Sequence, residues 1–341
     1  NCRYMVCATC VAVWLVVGFV GYLVYRYKRE LKRIEQLEDK AIVITGCDSG
    51  FGRALALKAA KAGLTVFAGC LTDSGAAELK NEAGSSPLYT VPLDVTKDES
   101  VAEARKLVEA KLGAKKLWAV VNNAGIFSCY GPTEWCTVAE YQLSFDVNLL
   151  GTVRTTNAFL DLIKQSRGRI VCVSSVAGKV ATMGTGPYAV AKYGVEAYCD
   201  VSRRELRSFG VSVHLLEPGI FKATNLLLHE AQRNRVESVW KKLSEKRKKE
   251  FGDDFKEYII NDWNKAMDML GSSKIDYVVD NYFHAITAES PRLRYQCGWD
   301  AILFWVPASF LPTPIQDALF NVFFNKPDRV VPAVLANKKY N

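Results

Sequence analysis

The chain has 341 residues, 49% of them apolar and 23% charged, a balance that excludes disorder throughout and provides for a substantial core. Its length allows one extended α/β domain or two or three average ones. The net charge of +8 is gathered in two runs, 26–33 and 241–249, which suit a membrane surface as readily as nucleic acid, solvated helix faces being the plainer reading. Ten cysteines scattered along a long chain read as reduced, mostly buried thiols rather than a disulfide framework. Cys7 and Cys10 have metal-ligand spacing, but they lie in an uncharged apolar stretch without a partner pair, and the chain has only three histidines. No metal and no nucleic-acid partner are expected.

The first element is apolar. From Met5 to Tyr25 there is no charge, and a helix of that length would reach about 31 Å, the thickness of a bilayer's hydrocarbon core. The run exceeds a signal peptide's apolar region and no clear small-x-small cleavage site follows. It is read as a membrane anchor, with a basic linker completing a segment over 1–39. Arg26, Lys28, Arg29, Lys32 and Arg33 follow it and only Arg3 precedes it, which places the next domain in the cytosol. The endoplasmic reticulum is the expected membrane, the mitochondrial inner membrane the alternative.

Between 40 and 219 short β-branched runs alternate with longer amphipathic ones. "AIVITG", "TVFAGC", "YTVPLDV", "LWAVVNNAG", "RIVCVSS" and "VSVHLLEPG" read as six strands, with helices such as 52–62, 97–112 and 188–208 between them. This pattern predicts a Rossmann-type doubly wound parallel sheet with helices on both faces, which binds ligands beyond the carboxyl ends of its strands. The first strand runs into "TGCDSGFGRAL", with glycines at 46, 50 and 52 before a helix. Close backbone approach to a pyrophosphate requires residues without a β-carbon, and the helix N-terminus offers free N–H groups, so a bound dinucleotide is expected. Further along, Tyr188 and Lys192 stand one helical turn apart on a shared face, either a surface pair or a proton-transfer device.

The G-x-x-x-G-x-G spacing, "NNAG" at 122–125, "VSS" at 173–175 and Tyr188-x-x-x-Lys192 together resemble the short-chain dehydrogenase/reductase family over about 40–225. Within it, "GCDSGFG", "VFAGCL", "LWAVVNNAG" and "KYGVEAY" resemble the branch holding retinol dehydrogenases, hydroxysteroid dehydrogenases and membrane-associated 3-hydroxybutyrate dehydrogenase. The resemblance implies an oxidoreductase with Tyr188 as general acid–base and Ser175 on the substrate oxygen, Ser174 being the alternative. It further implies Lys192 on the nicotinamide ribose and Asn148 in a proton relay. For the cofactor it implies Gly46, Ser49, Gly50, Phe51, Gly52, Asp94, Asn122, Ala124, Gly125, Pro218 and Gly219. Related sequences place a carboxamide-binding threonine where Ala223 stands, leaving Thr224 as a doubtful substitute. A tyrosine pKa near 10 must fall by about two to three units to serve as base at neutral pH, roughly 3–4 kcal/mol. One ammonium at about 4 Å supplies that order, which makes Lys192 the expected activator.

The second strand ends at Cys70, where many NAD-using relatives carry an aspartate. Yet 47–51 and 69–74 offer no cation to a 2′-phosphate, and Asp48 and Asp73 would repel one, so NAD is expected over NADP. The segment between Ser175 and Tyr188 is small and apolar with one cation, Lys179. A hydroxy acid needs fixed positive donors, so the expected substrate is a lipophilic alcohol such as a steroid or retinoid. The alternatives are 3-hydroxybutyrate and, in another class, a non-catalytic dinucleotide-binding scaffold. After Asn225 the chain reads as a helical extension of the same domain, 226–341, with one long helical pattern over 225–251 that covers the alcohol site. The aromatic runs at 301–314 and 318–324, broken by Pro307, Pro312 and Pro314, cannot span a bilayer and read as core packing or as a surface in the interface. A homo-oligomer is compatible with all of this.

Overall fold

In the computed structural model, which describes residues 2–222, 228–324 and 330–336, β-branched runs form the sheet, its inner strands buried on both faces. Its strands are β1 (Lys40–Ile44), β2 (Thr65–Cys70), β3 (Leu88–Pro92), β4 (Lys116–Asn122), β5 (Arg169–Val173), β6 (Ser212–Pro218) and β7 (Arg294–Cys297). All pair in parallel, in the order β3-β2-β1-β4-β5-β6-β7. The period of two sorts β1 onto two cores. Ile42 and Ile44 face α2 (Gly50–Lys61), α3 (Asp73–Ala83) and α11 (Asp276–Thr287), whereas Ala41 and Val43 face α4 (Asp98–Leu112), α6 (Gly151–Ser166) and α7 (Gly186–Leu206). This is the doubly wound fold expected from the alternation.

The extension corrects the sequence reading at two places. Its segment 294–297 is not helical but adds a seventh strand at the β6 edge, with Leu216 opposite Tyr295. A four-residue run opening on arginine shows too little alternation to be read as a strand. The long helical pattern also breaks, into α8 (His229–Lys242) and α9 (Glu245–Phe251), because Ser244 caps the second helix by accepting from Arg247 N at 3.3 Å.

Those two helices and α10 (Asp253–Leu270) bury Val236, Val239, Trp240, Phe251, Phe255 and Ile260 against Trp135 and Cys129 of the loop after β4. Beyond β7, a wide turn at Ala301–Trp305 leads into α12 (Val306–Ala308), α13 (Thr313–Phe324) and α14 (Ala333–Ala336). Trp305 is buried there, while Leu303, Phe310 and Val322 are exposed.

The first helix, α1, is continuous from Cys2 to Leu31, and Thr9–Leu31 is long and apolar enough to cross a membrane, alone among the described residues. Its last turn is not a loose basic linker. The Glu30 carboxylate accepts from Arg26 at 2.9 Å and from the Arg292 guanidinium, and the Glu30 carbonyl meets His284 Nε2 at 2.9 Å. Ile34 N donates to Thr287 O at 2.8 Å and Glu289 N to Lys32 O at 3.0 Å. The helix end is thereby sewn to the segment joining α11 and β7.

Candidate active site

The turn after β1 places Gly46, Asp48, Ser49, Gly50 and Phe51 on one wall of a cleft whose other wall is Leu93–Thr96 and Asn123–Ile126. Gly50 has a φ of +62°, a left-handed conformation that side chains disfavour. A β-carbon on Gly52 would collide with Gly46 O and Asn123 Nδ2, so the turn can lie against β4 only with glycine there. Ser49 is the N-cap of α2 but makes no side-chain cap hydrogen bond. The helix's first N–H groups therefore need another acceptor, and a pyrophosphate suits them. Asp94 lies in the same cleft; burial opposes its charge, but hydrogen bonds from Thr96 and the nearby Lys97 hold its carboxyl below the usual range. Glycine turn, uncapped helix and cleft together fit a dinucleotide.

Asn122 stands apart from that expectation. As the last residue of β4 its side chain turns into the core, donating to Thr156 Oγ1 at 2.9 Å, and it lines neither cleft nor cavity. Asn123, one residue on and on the opposite face, lines both; it donates to Thr45 O and Gly46 O and accepts from Tyr282 at 3.1 Å. The strand's period of two was the available signal.

The cleft continues, past Phe51, Asn123 and Gly125, into a cavity at the carboxyl ends of β4, β5 and β6. Tyr188, Lys192, Ser174, Ser175, Pro218 and Gly219 line it. Ser175 stands two residues past β5; its hydroxyl accepts from Ala177 N at 3.1 Å and faces the same cavity as the Tyr188 phenol. Ser174 turns away and reaches Lys192 O at 3.4 Å. Pro218 ends β6 and Gly219 follows it, where Asp300 holds Ile220 N at 2.8 Å and leaves no room for a side chain on residue 219. Asn148 is buried in a π-type turn between α5 (Val138–Ser144) and α6. It accepts from Ile126 N at 2.9 Å and donates to Ile126 O and Ser144 Oγ, both at 3.0 Å, which clamps the chain beside Gly125 and Lys192. Ala223 and Thr224 lie outside the described residues.

Electrostatically the pair differs from the expectation. Burial pushes the Tyr188 phenol up to about 12, with the Ser175 hydrogen bond pulling weakly against it. Burial also pushes the Lys192 ammonium down to about 8. Lys192 donates to Val173 O at 3.0 Å and lies 5.5 Å from the centroid of the Tyr188 ring. Desolvation outweighs mutual attraction, so the two side chains alone do not make an acidic phenol. They do hold a proton donor, a cation and a hydroxyl around one point.

The rest of the cavity is mostly apolar and aromatic, with Thr182, Thr185 and Asp262 also on its wall, and most of it lay beyond sequence reading. Phe127 stacks on Tyr188 with ring centroids 4.7 Å apart; Tyr130 and Trp263 pack next to it, and Met267, Leu270 and Trp305 complete the wall. Lys179, the one cation foreseen near the site, instead pairs with Glu196 at 3.1 Å and Glu217 at 3.7 Å.

A glycine turn opening a parallel sheet, continuous with a cavity that ends on a Ser–Tyr–Lys cluster, defines a dinucleotide-dependent oxidoreductase. The sequence profile for "short chain dehydrogenase" matches residues 40–235. The chain is 44% identical over 330 residues to the Caenorhabditis elegans 3beta-hydroxysteroid dehydrogenase dhs-16, covering 94% of this chain and 84% of that one. It is 42% identical to rat 17-beta-hydroxysteroid dehydrogenase type 6 (93% and 99% covered) and 40% identical to rat retinol dehydrogenase 7 (94% and 100%). A Burkholderia phymatum short-chain dehydrogenase/reductase solved with NAD shares the fold at TM-score 0.66 and 22% identity, over 88% of this chain and 99% of that one. The chain belongs to the short-chain dehydrogenase family, in the branch of the hydroxysteroid and retinol dehydrogenases, and is an NAD(P)-dependent oxidoreductase acting on CH–OH groups.

Proposed function

We propose that this protein is a membrane-anchored, NAD-dependent oxidoreductase that interconverts a lipophilic alcohol and its carbonyl, the substrate being a steroid or retinoid. The observation that carries the reading is a largely apolar, aromatic cavity that brings together the Tyr188 phenol, the Ser175 hydroxyl and the Lys192 ammonium. A nicotinamide held in the cleft would supply the hydride acceptor or donor for the carbinol carbon. Tyr188 takes or gives the hydroxyl proton, Ser175 holds the same oxygen, Lys192 holds the ribose and supports the phenolate, and Asn148 keeps the lysine's surroundings in place. Gly46, Ser49, Gly50, Phe51, Gly52, Asp94, Ala124, Gly125, Pro218 and Gly219 form the dinucleotide cradle, with Asn123 joining them in place of Asn122.

Preference for NAD is supported by Asp48, whose carboxylate accepts from Leu71 N at 2.9 Å and Thr72 N at 2.8 Å. It brings a negative charge to the end of β2, where a 2′-phosphate would be repelled. The lipophilic substrate is supported by the pairing of Lys179 with Glu196 and Glu217, which leaves Lys192 as the one cation among the described residues lining the cavity. The names of the relatives point the same way. The apolar α1 helix supports anchoring, with the endoplasmic reticulum and a cytosol-facing domain as the proposed arrangement.

The test is a coupled assay of the full chain in detergent, with NAD or NADP, against steroids, retinoids and 3-hydroxybutyrate. NAD-dependent turnover of a steroid or retinoid is expected. Preference for 3-hydroxybutyrate, or for NADP, would overturn the respective part.

A further inference from the structure

Outside the catalytic cluster, two thiols meet. Cys129 Sγ and Cys136 Sγ are 3.1 Å apart, closer than non-bonded sulfurs usually sit, and a disulfide would require about 1 Å of further approach. They enclose residues 130–135 of the loop after β4. Cys129 is fully buried against Trp135 and α8, whereas Cys136 is half-exposed. Two residues before Cys129, Phe127 stacks on Tyr188; one residue after it, Tyr130 packs against Trp263. Cys172 and Cys199 are by contrast sealed in the core and offer no such access.

We propose that Cys129 and Cys136 form a reversible thiol–disulfide exchange site that takes a small disulfide of the glutathione class and locks the loop forming the cavity's aromatic wall. The Cys136 thiolate attacks one sulfur of glutathione disulfide and releases one glutathione thiolate. Cys129 then loses its proton and attacks Cys136 Sγ in the mixed disulfide, releasing the second glutathione. Two protein thiols are oxidised and one glutathione disulfide is reduced to two thiols. The order follows from exposure. It agrees with the contact to Cys129, which draws the Cys136 thiol below its ordinary range although burial and Glu140 oppose this.

The disulfide itself does not depend on the proposed reaction, whereas its effect on turnover does. Cleavage after Lys116 and Arg154 yields a peptide, 117–154, holding these two cysteines and no other. Full-length protein in detergent is incubated with glutathione disulfide, alkylated and digested. The expected peptide is two hydrogens lighter than the dithiol and carries no alkyl group. Steroid turnover is expected to fall about tenfold in that population, since a shift of about 1 Å near reacting groups costs up to about 10²-fold, and to return with dithiothreitol. Cys136→Ser is expected to keep wild-type turnover and resist the oxidant. Both thiols alkylated after the incubation would overturn the site; a cross-linked peptide with unchanged turnover would overturn its coupling to the cavity.

Discussion

Lys192 lies one helical turn beyond Tyr188, and its ammonium is held 5.5 Å from the centre of the phenol ring by a hydrogen bond to Val173 O. This relationship joins the end of β5 to α7 and sets the chemistry at the inner end of the cavity. The phenol remains protonated at neutral pH in the protein alone, because burial pushes it up to about 12. Oxidation should therefore accelerate as pH rises.

Replacing Tyr188 with phenylalanine removes the proton-transferring oxygen and keeps the ring against Phe127. Turnover is expected to fall at least about 10²-fold, with NADH binding nearly unchanged in a fluorescence titration. Turnover at the wild-type level would remove the tyrosine from its role.

Lys192→Met should separate stability from activity. The ammonium's pKa is about 8 in the folded protein against an ordinary 10.5, so the unfolded chain binds its proton more tightly. The resulting penalty is absent above about 10.5, develops as pH falls towards 8 and is complete below that. The variant escapes it, gaining about 1–2 °C in Tm for each kcal/mol released. Thermal melts should show the variant ahead at pH 7 and the gap narrowing by pH 10, while turnover is lost. An equal gap at both pH values would contradict a buried, titrating lysine.

Gly50→Val places a β-branched side chain at a φ of +62° on the wall of the cleft. NADH affinity is expected to fall at least about tenfold, and isothermal titration would detect an unaltered affinity if the pyrophosphate lay elsewhere.

Trp263→Ala removes part of the aromatic wall without touching Tyr188. For a steroid substrate, KM should rise about tenfold with a smaller change in kcat, the mark of lost ground-state binding. A fall in kcat alone would place Trp263 in the chemistry instead.

Legibility followed interaction range. The six strands from Lys40 to Pro218 are continuous apolar runs whose pattern is local, and the glycine turn and Tyr188–Lys192 spacing are short motifs. Strand β7 was not legible, because "RYQC" becomes a strand only through pairing with β6. Phe127, Trp263 and Trp305 come from three distant segments, and no pattern within any of them announces a shared cavity. Asn123 could have been preferred to Asn122 from strand alternation alone. The phenol's raised pKa was hidden for another reason: Coulomb attraction can be estimated from spacing, but desolvation depends on everything packed around the pair.

The junction of α1 with the catalytic domain has a mechanical consequence. A helix of 30 residues is a lever about 45 Å long, and its fulcrum is the Glu30–Arg292 contact two residues before the edge strand that leads to Trp305. A tilt imposed on that lever by surroundings of different thickness would load the strand beside the cavity rather than dissipate in a swivel.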